Sequence, residues 1–346
     1  MNQAISLSAM FLFLLNLLNL PFNQQLHTPF EILKMLQESK IEYEIRILEE
    51  KIPPPDYSDR LTSNYWSRQE KDGKIKLEVY QIKPETQGWL DKAEQEFRNH
   101  HDQQAREYYL KALDSQPEAA FIMTFIGQTY EPEGDFDQAM EWYKKALAAN
   151  PADYMAHWFL ADAFVIKGEK ERALEELTLA QIFNRNNPRM KKSREFIYKS
   201  CGLRVEDWVF NPQYKLEKTG DNHVVISAAP AWLAYAMAKA LWTYEPGYAT
   251  SMGKPASSAL YSGEEQEALA AEYGYLSSQP AEQFQDYPDL NVLKRAIEAR
   301  KIGEYVIYEV LLPQYPRLAF ELPPNIIESL KQYVLEIRAE KETPVQ

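Results

Sequence analysis

The side chains most able to do chemistry are sparse in this chain and poorly grouped for it. Five histidines stand at 27, 100, 101, 157 and 223. Only His100-His101-Asp102 gathers residues of metal-ligating type, and neighbours at a helix end do not converge well on one ion. The three read as a solvated turn between helices. Cys201 lacks the patterned His that a nucleophile needs, and free cysteine is commonly buried and inert. One cysteine also excludes an internal disulfide framework and a multi-cysteine zinc or iron–sulfur site. Glu264-Glu265 opens a predicted helix, where the helix dipole favours negative charge. No Gly-rich phosphate loop, His-Glu-x-x-His pattern or Gly-x-Ser-x-Gly elbow occurs. The expectation is a protein without catalytic residues, metal site or cofactor.

Binding residues are better represented. The 346 residues include 7 Trp, 22 Tyr and 15 Phe, types favoured where binding energy concentrates. Trp232, Tyr235, Trp242, Tyr244 and Tyr248 cluster in one segment. Core packing is one reading of them, and a ligand or glycan platform is the other. The net charge of −13 argues against nucleic acid, since phosphate binding needs a basic surface. Its main exception is the run from Arg185 to Lys199, with Arg189, Lys191, Lys192 and Arg194, which reads as a solvated helix face. A composition of 45% hydrophobic and 26% charged residues supports a buried core without disulfides.

These residues need elements to position them. Residues 1–30 carry no Asp, Glu, Lys or Arg, and an apolar run from Ala9 to Leu20 ends at Pro21. Its length suits a secretory signal better than a bilayer span of ~20 residues. No basic residue precedes it and no small-x-small cleavage site follows. Three readings of residues 1–22 compete: a cleaved signal peptide, an uncleaved N-terminal anchor, and a helix packed on the protein itself. The first implies an extracytoplasmic protein, periplasmic or secreted, and only the second implies membrane contact. If none holds for export, the chain is cytoplasmic.

Phe30 to Gln37 has near-helical apolar spacing, and Ile41 to Ile47 alternates apolar and charged residues like a half-buried strand. Pro53-Pro54-Pro55 ends that strand. A second strand is predicted at Lys74 to Ile82 after the Asp72-Gly73 turn. Together they make a small α+β segment over 28–84.

A period of 34 then runs through the middle third. Ala105, Ala139 and Ala173 are 34 apart, as are Ala112, Ala146 and Ala180, and Ala93, Gly127 and Ala161. Tyr109, Tyr143 and Leu177 follow the same register, and Pro117 and Pro151 mark loops. Small residues belong where two helices cross at ~8–10 Å. The turns are His101-Asp102, Gly134-Asp135 and Gly168-Glu169, and Pro132 must end its helix by about Glu131. Over about residues 86–187 the chain resembles the tetratricopeptide repeat family, best in the unit from Ala120 to Asp153. Pro188 to Ser200 is placed to cap the stack, so the repeat region spans 86–200.

The resemblance implies a non-catalytic scaffold that binds a protein or peptide on the concave face formed by the first helix of each repeat. The family's groove positions correspond to Leu90, Glu94 and Phe97 in the first repeat. They are Phe121, Thr124 and Gln128 in the second, and Met155, Trp158 and Asp162 in the third. That face lacks the basic cluster with which some members hold a terminal carboxylate, and it suits a neutral or basic extended segment. Alternatively, the protein's own C-terminal region fills it.

From 203 to 340 a helix-rich domain is predicted. It has a β-hairpin around Thr219-Gly220-Asp221-Asn222 and a helix from Ala231 to Tyr244. Residues 247–263 read as a loop. Further helices are predicted at Glu264–Tyr275, Asn291–Ile302 and Asn325–Glu340. A ligand- or glycan-binding role for this domain, with enzymatic activity included, is the alternative function. The fold class is mainly α: a helical-hairpin solenoid between a small α+β segment and a helix-rich C-terminal domain.

Overall fold

A computed structural model describes residues 26–62, 66–71, 74–255, 261–280 and 287–341. The readings of residues 1–22 and of the Asp72-Gly73 turn fall outside them. No helix among the described residues is long and apolar enough to cross a membrane.

The chain divides into two compact units, neither continuous in sequence. One comprises residues 1–55 and 206–310, and the other 56–205 and 311–346. Residues 28–84 are therefore not one segment, and 203–340 is not one domain. The physical reason lies in β pairing, as the first unit shows.

Helix α1 (Pro29–Glu38) starts on a capping box, in which Thr28 and Glu31 satisfy each other's backbone N–H groups, with Pro29 at the first helical position. Strand β1 (Glu42–Ile47) follows. Beyond Pro55 come β2 (Trp66–Lys71) and β3 (Lys74–Val79), an antiparallel pair belonging to the other unit. The predicted strand at 74–82 thus ends at Val79, and its partner β2 had no alternating pattern to reveal it.

Six helices then alternate in hairpins: α2 (Pro84–Arg98) with α3 (Asp102–Ser115), α4 (Ala120–Gln128) with α5 (Phe136–Ala149), and α6 (Tyr154–Ile166) with α7 (Lys170–Phe183). A capping helix α8 (Lys191–Ser200) packs on α7, burying Ile197 and Tyr198. Every small residue of the sequence register is buried: Ala93, Gly127 and Ala161 on first helices, Ala105, Ala139 and Ala173 on second helices. A Cβ on Gly127 would lie 2.8 Å from Cδ1 of Tyr143 and 3.1 Å from the carbonyl oxygen of Ala139. The turns share a left-handed residue at a spacing of 34: Gly134 and Gly168 have φ of 75° and 78°, and His100 has 60°. The first repeat thus places a histidine where the others have glycine.

After β4 (Leu203–Arg204) the chain enters the first unit. Strands β5 (Tyr214–Gly220) and β6 (His223–Ala228) form the predicted hairpin, and β6 also pairs in parallel with β1. Residues 26–55 join this unit through that parallel pairing across a long connection, which leaves no local sequence signal. Helix α9 (Leu233–Tyr244) packs on this sheet, on α1 and on α11 (Ser262–Leu276). A short helix, α10 (Tyr248–Ser251), interrupts the expected loop. Helices α12 (Pro288–Glu298) and α13 (Ile302–Tyr305) complete the unit. The chain returns to the repeat unit through α14 (Pro324–Tyr333), which packs on α7, and β7 (Glu340–Lys341), which pairs with β4.

Two substitutions test the repeat geometry by chemical denaturation. Gly127→Ala should lower stability by about 1–3 kcal/mol, because the buried Tyr143 ring has no room to yield. His100→Gly should raise it by about 1 kcal/mol, by relieving left-handed backbone at a non-glycine residue.

Candidate functional site

The structure divides the nine expected groove residues. Leu90 is 5% exposed, and Phe121 and Thr124 are fully buried. Phe121 sits under Tyr80, with ring centroids 5.6 Å apart, and edge-on to Phe125. The Thr124 hydroxyl donates at 2.9 Å to Asp153, whose other oxygen caps the first turn of α6. These three residues belong to the core rather than to a binding face. Glu94, Phe97, Gln128, Met155, Trp158 and Asp162 are half-buried.

Among those six, the carboxylates are held by hydroxyls. Tyr109 donates to Glu94 at 2.6 Å, and one repeat further on Tyr143 donates to Glu131 at 2.5 Å. Glu131 was not among the expected residues. Its place, 34 after Phe97, was the available signal. Asp162 accepts from Ser193 of the capping helix at 3.3 Å, and the same hydroxyl oxygen accepts from Trp158 Nε1 at 2.8 Å. The cap therefore fixes the third repeat's face. Burial raises the Asp162 carboxyl to about 6, and burial raises Glu131 too, with Asp162 adding to it. No Lys or Arg lies on α4 or α6. On α2, Lys92 sits over the Trp89 ring and Arg98 bonds the Glu94 carbonyl.

His101 Nδ1 lies 2.7 Å from Glu96, beside the left-handed His100. His157 is buried between Glu176 and the Pro151 carbonyl, at 2.6 and 3.0 Å. The Cys201 thiol donates to the Lys170 carbonyl at 3.5 Å. Trp232, Tyr235, Trp242 and Tyr248 are buried, and Tyr244 half-buried. Trp232 and Tyr235 meet edge to face, as do Trp242 and Tyr248, so these rings are packing residues and form no open platform.

Helix α11 holds what sequence reasoning missed. Glu264 and Glu265, read as helix-start charges, clamp Lys239 of α9, and Tyr235 donates to Glu265 at 2.7 Å. Glu267 is fully buried, accepting from Trp242 Nε1 at 2.7 Å and the Tyr248 hydroxyl at 2.9 Å, with His27 Nδ1 at 2.7 Å. Glu272 accepts from the Tyr235 backbone N–H at 2.8 Å, at the head of α9, and burial raises its pKa to about 8. No group of three or more His, Cys, Asp and Glu among the described residues could hold a metal ion. This network joins α9, α10 and α11 within one unit.

Two profiles of the tetratricopeptide repeat match the chain, over residues 90–153 and 133–194. Residues 90–194 are tetratricopeptide repeats. Among solved structures, the type III secretion chaperone SycD of Yersinia enterocolitica, in complex with a peptide of the translocator YopD, is similar at 17% identity. The match covers 35% of this chain and 92% of that one, with a TM-score of 0.31. No curated protein matches. A tetratricopeptide stack is a protein-interaction scaffold, and its half-buried acidic and aromatic first-helix residues are its candidate contacts.

The Asp162 environment predicts a pH dependence. Its carboxyl, near 3.8 when unfolded and about 6 when folded, holds a proton in the native state over that interval. Its contribution to stability is therefore full below 3.8 and lost as pH rises through about 6. Asp162→Asn should remove that loss, so the stability difference, variant minus wild type, should increase from pH 4 to pH 7 in paired denaturation curves.

Proposed function

We propose that the repeats bind an extended, positively charged peptide segment on the first-helix face, as a non-catalytic scaffold. The observation that carries this reading is the charge of that face. Glu94 stands on α2, Asp162 on α6 and Glu131 in the turn that follows α4, and α4 and α6 supply no cation to offset them. Trp158 and Phe97, both half-buried, add apolar surface for the aliphatic stems of Lys or Arg. Solenoid repeats characteristically use this kind of extended concave surface. The absence of a catalytic motif in the sequence supports the non-catalytic part of the reading. The buried aromatics of the other unit favour packing over ligand binding there.

The test is a titration of arrayed extended peptides that differ in charge, against the full chain. Lys- and Arg-containing peptides should bind, and binding should weaken as salt screens the attraction. Glu94→Gln with Asp162→Asn should weaken it by about tenfold or more, equivalent to ~1.4 kcal/mol. Trp158→Ala should weaken it too. Phe121 is not a useful probe, since its truncation would cost about 3–5 kcal/mol of stability instead. Equal binding of acidic and basic peptides, or indifference to the double substitution, would refute the charge-based reading.

A further inference from the structure

The stretch that closes the repeat stack carries a charge unlike that of the rest of the chain. From Arg185 to Val205 there are seven basic residues and one acidic, in a protein of net charge −13. Capping helix α8 turns Ile197 and Tyr198 into the stack. Lys192, Glu195, Phe196 and Lys199 are exposed on its outer side. Lys192 precedes Phe196 by four residues and Lys199 follows it by three, so these three share one face of the helix. The Phe196 ring is 62% exposed. Among the described residues, Arg189, Lys192 and Lys199 form no ion pair.

Beside this face, between α8 and β4, lies a cavity of about 180 Å³ whose lining belongs wholly to the repeat unit. Arg194, Lys199 and Arg204 line it with positive charge, and Leu203 and Val205 give it apolar wall. Glu195 is its one carboxylate, outnumbered by the cations. Arg204 also meets Glu340 of β7 at 2.8 Å, which fixes its guanidinium in place. Lys199 belongs to both the cavity and the exposed stripe, and so joins them. Solubility asks only for a polar outer face on a terminal cap. It asks neither for one sign of charge nor for an exposed phenyl ring. Cations set among apolar surface are complementary to an acidic peptide that carries apolar side chains. Nucleic acid fits less well, because the rest of the chain is acidic and repels a phosphate backbone. A bilayer fits less well too, since α8 buries its apolar stripe against the stack and leaves one ring outside.

We propose that the capping helix and β4 form a second binding site, for an acidic peptide segment of a partner protein. A Glu or Asp carboxylate of the peptide enters the cavity toward Lys199 and Arg204. An apolar neighbour on the peptide packs on Phe196, between Lys192 and Lys199. The site shares no residue with the acidic first-helix face, and the two take peptides of opposite charge. Either can therefore fail without the other.

The probe is a short fluorescent peptide of Glu, Leu and Gly, titrated against the full chain by anisotropy beside a counterpart with Gln in place of Glu. The Glu peptide should bind about fivefold or more tightly than the Gln peptide, and added salt should remove the advantage. Lys192→Gln with Lys199→Gln should weaken its binding about fivefold or more, as expected from two exposed charge contacts. Phe196→Ser, and Val205→Phe, which narrows the cavity, should each weaken it as well. Two controls should not weaken it: Lys144→Gln with Lys145→Gln, an equal loss of charge on α5, and Glu94→Gln with Asp162→Asn on the first-helix face. Thermal unfolding checks that each variant is folded, and the exposed lysines carry the test should Val205→Phe fail to fold. The proposal is overturned if the Gln peptide binds as tightly, or if the α5 pair matters as much as the α8 pair. It is also overturned if Phe196→Ser and a folded Val205→Phe change nothing. Displacement of the peptide by inorganic phosphate, but not by acetate at equal ionic strength, would overturn it by making the cavity a phosphate site. Self-association of the chain through the same lysines would overturn it by making the occupant a second copy.

Discussion

Close approach of paired helices is the constraint on which the repeat unit depends. Ala93, Gly127 and Ala161 are buried on the first helices, and Gly127 lies directly against the Tyr143 ring, where a Cβ has no room. That closeness sets the hairpin geometry. It also puts Tyr109 within hydrogen-bonding reach of Glu94, and Tyr143 within reach of Glu131. The acidic groups of the candidate face are therefore positioned by the same contacts that build the stack. Removing carboxylates from water raises their pKa unless donors compensate, as the upward shifts of Glu131 and Asp162 show.

The repeats were legible in the sequence because their contacts are local and recur. Ala105, Ala139 and Ala173 meet the same surroundings three times, so one period exposes them all. Six of the nine expected groove positions are half-buried, Glu94, Trp158 and Asp162 among them. Phe121 and Leu90 follow the register equally well, yet are core. The family position tells which way a side chain points from its helix. It carries no information about Tyr80, which arrives from outside the repeats and covers Phe121. Glu131 escaped because its counterpart in the first repeat is Phe97, so no chemical pattern repeats there.

Outside the repeats, local patterns predicted elements but not their partners. The β5–β6 hairpin was readable because its two strands adjoin a turn. The parallel pairing of β1 with β6 was not, because nothing in Glu42–Ile47 indicates which distant strand it will meet. Helix α11 shows the same limit for polar residues. Glu264, Glu265, Glu267 and Glu272 look like charges of a solvated helix. They are tolerated in the interior because Lys239, Tyr235, Trp242, Tyr248 and backbone N–H groups are brought to them. Each donor comes from another element, and so the burial cannot be read from the helix alone.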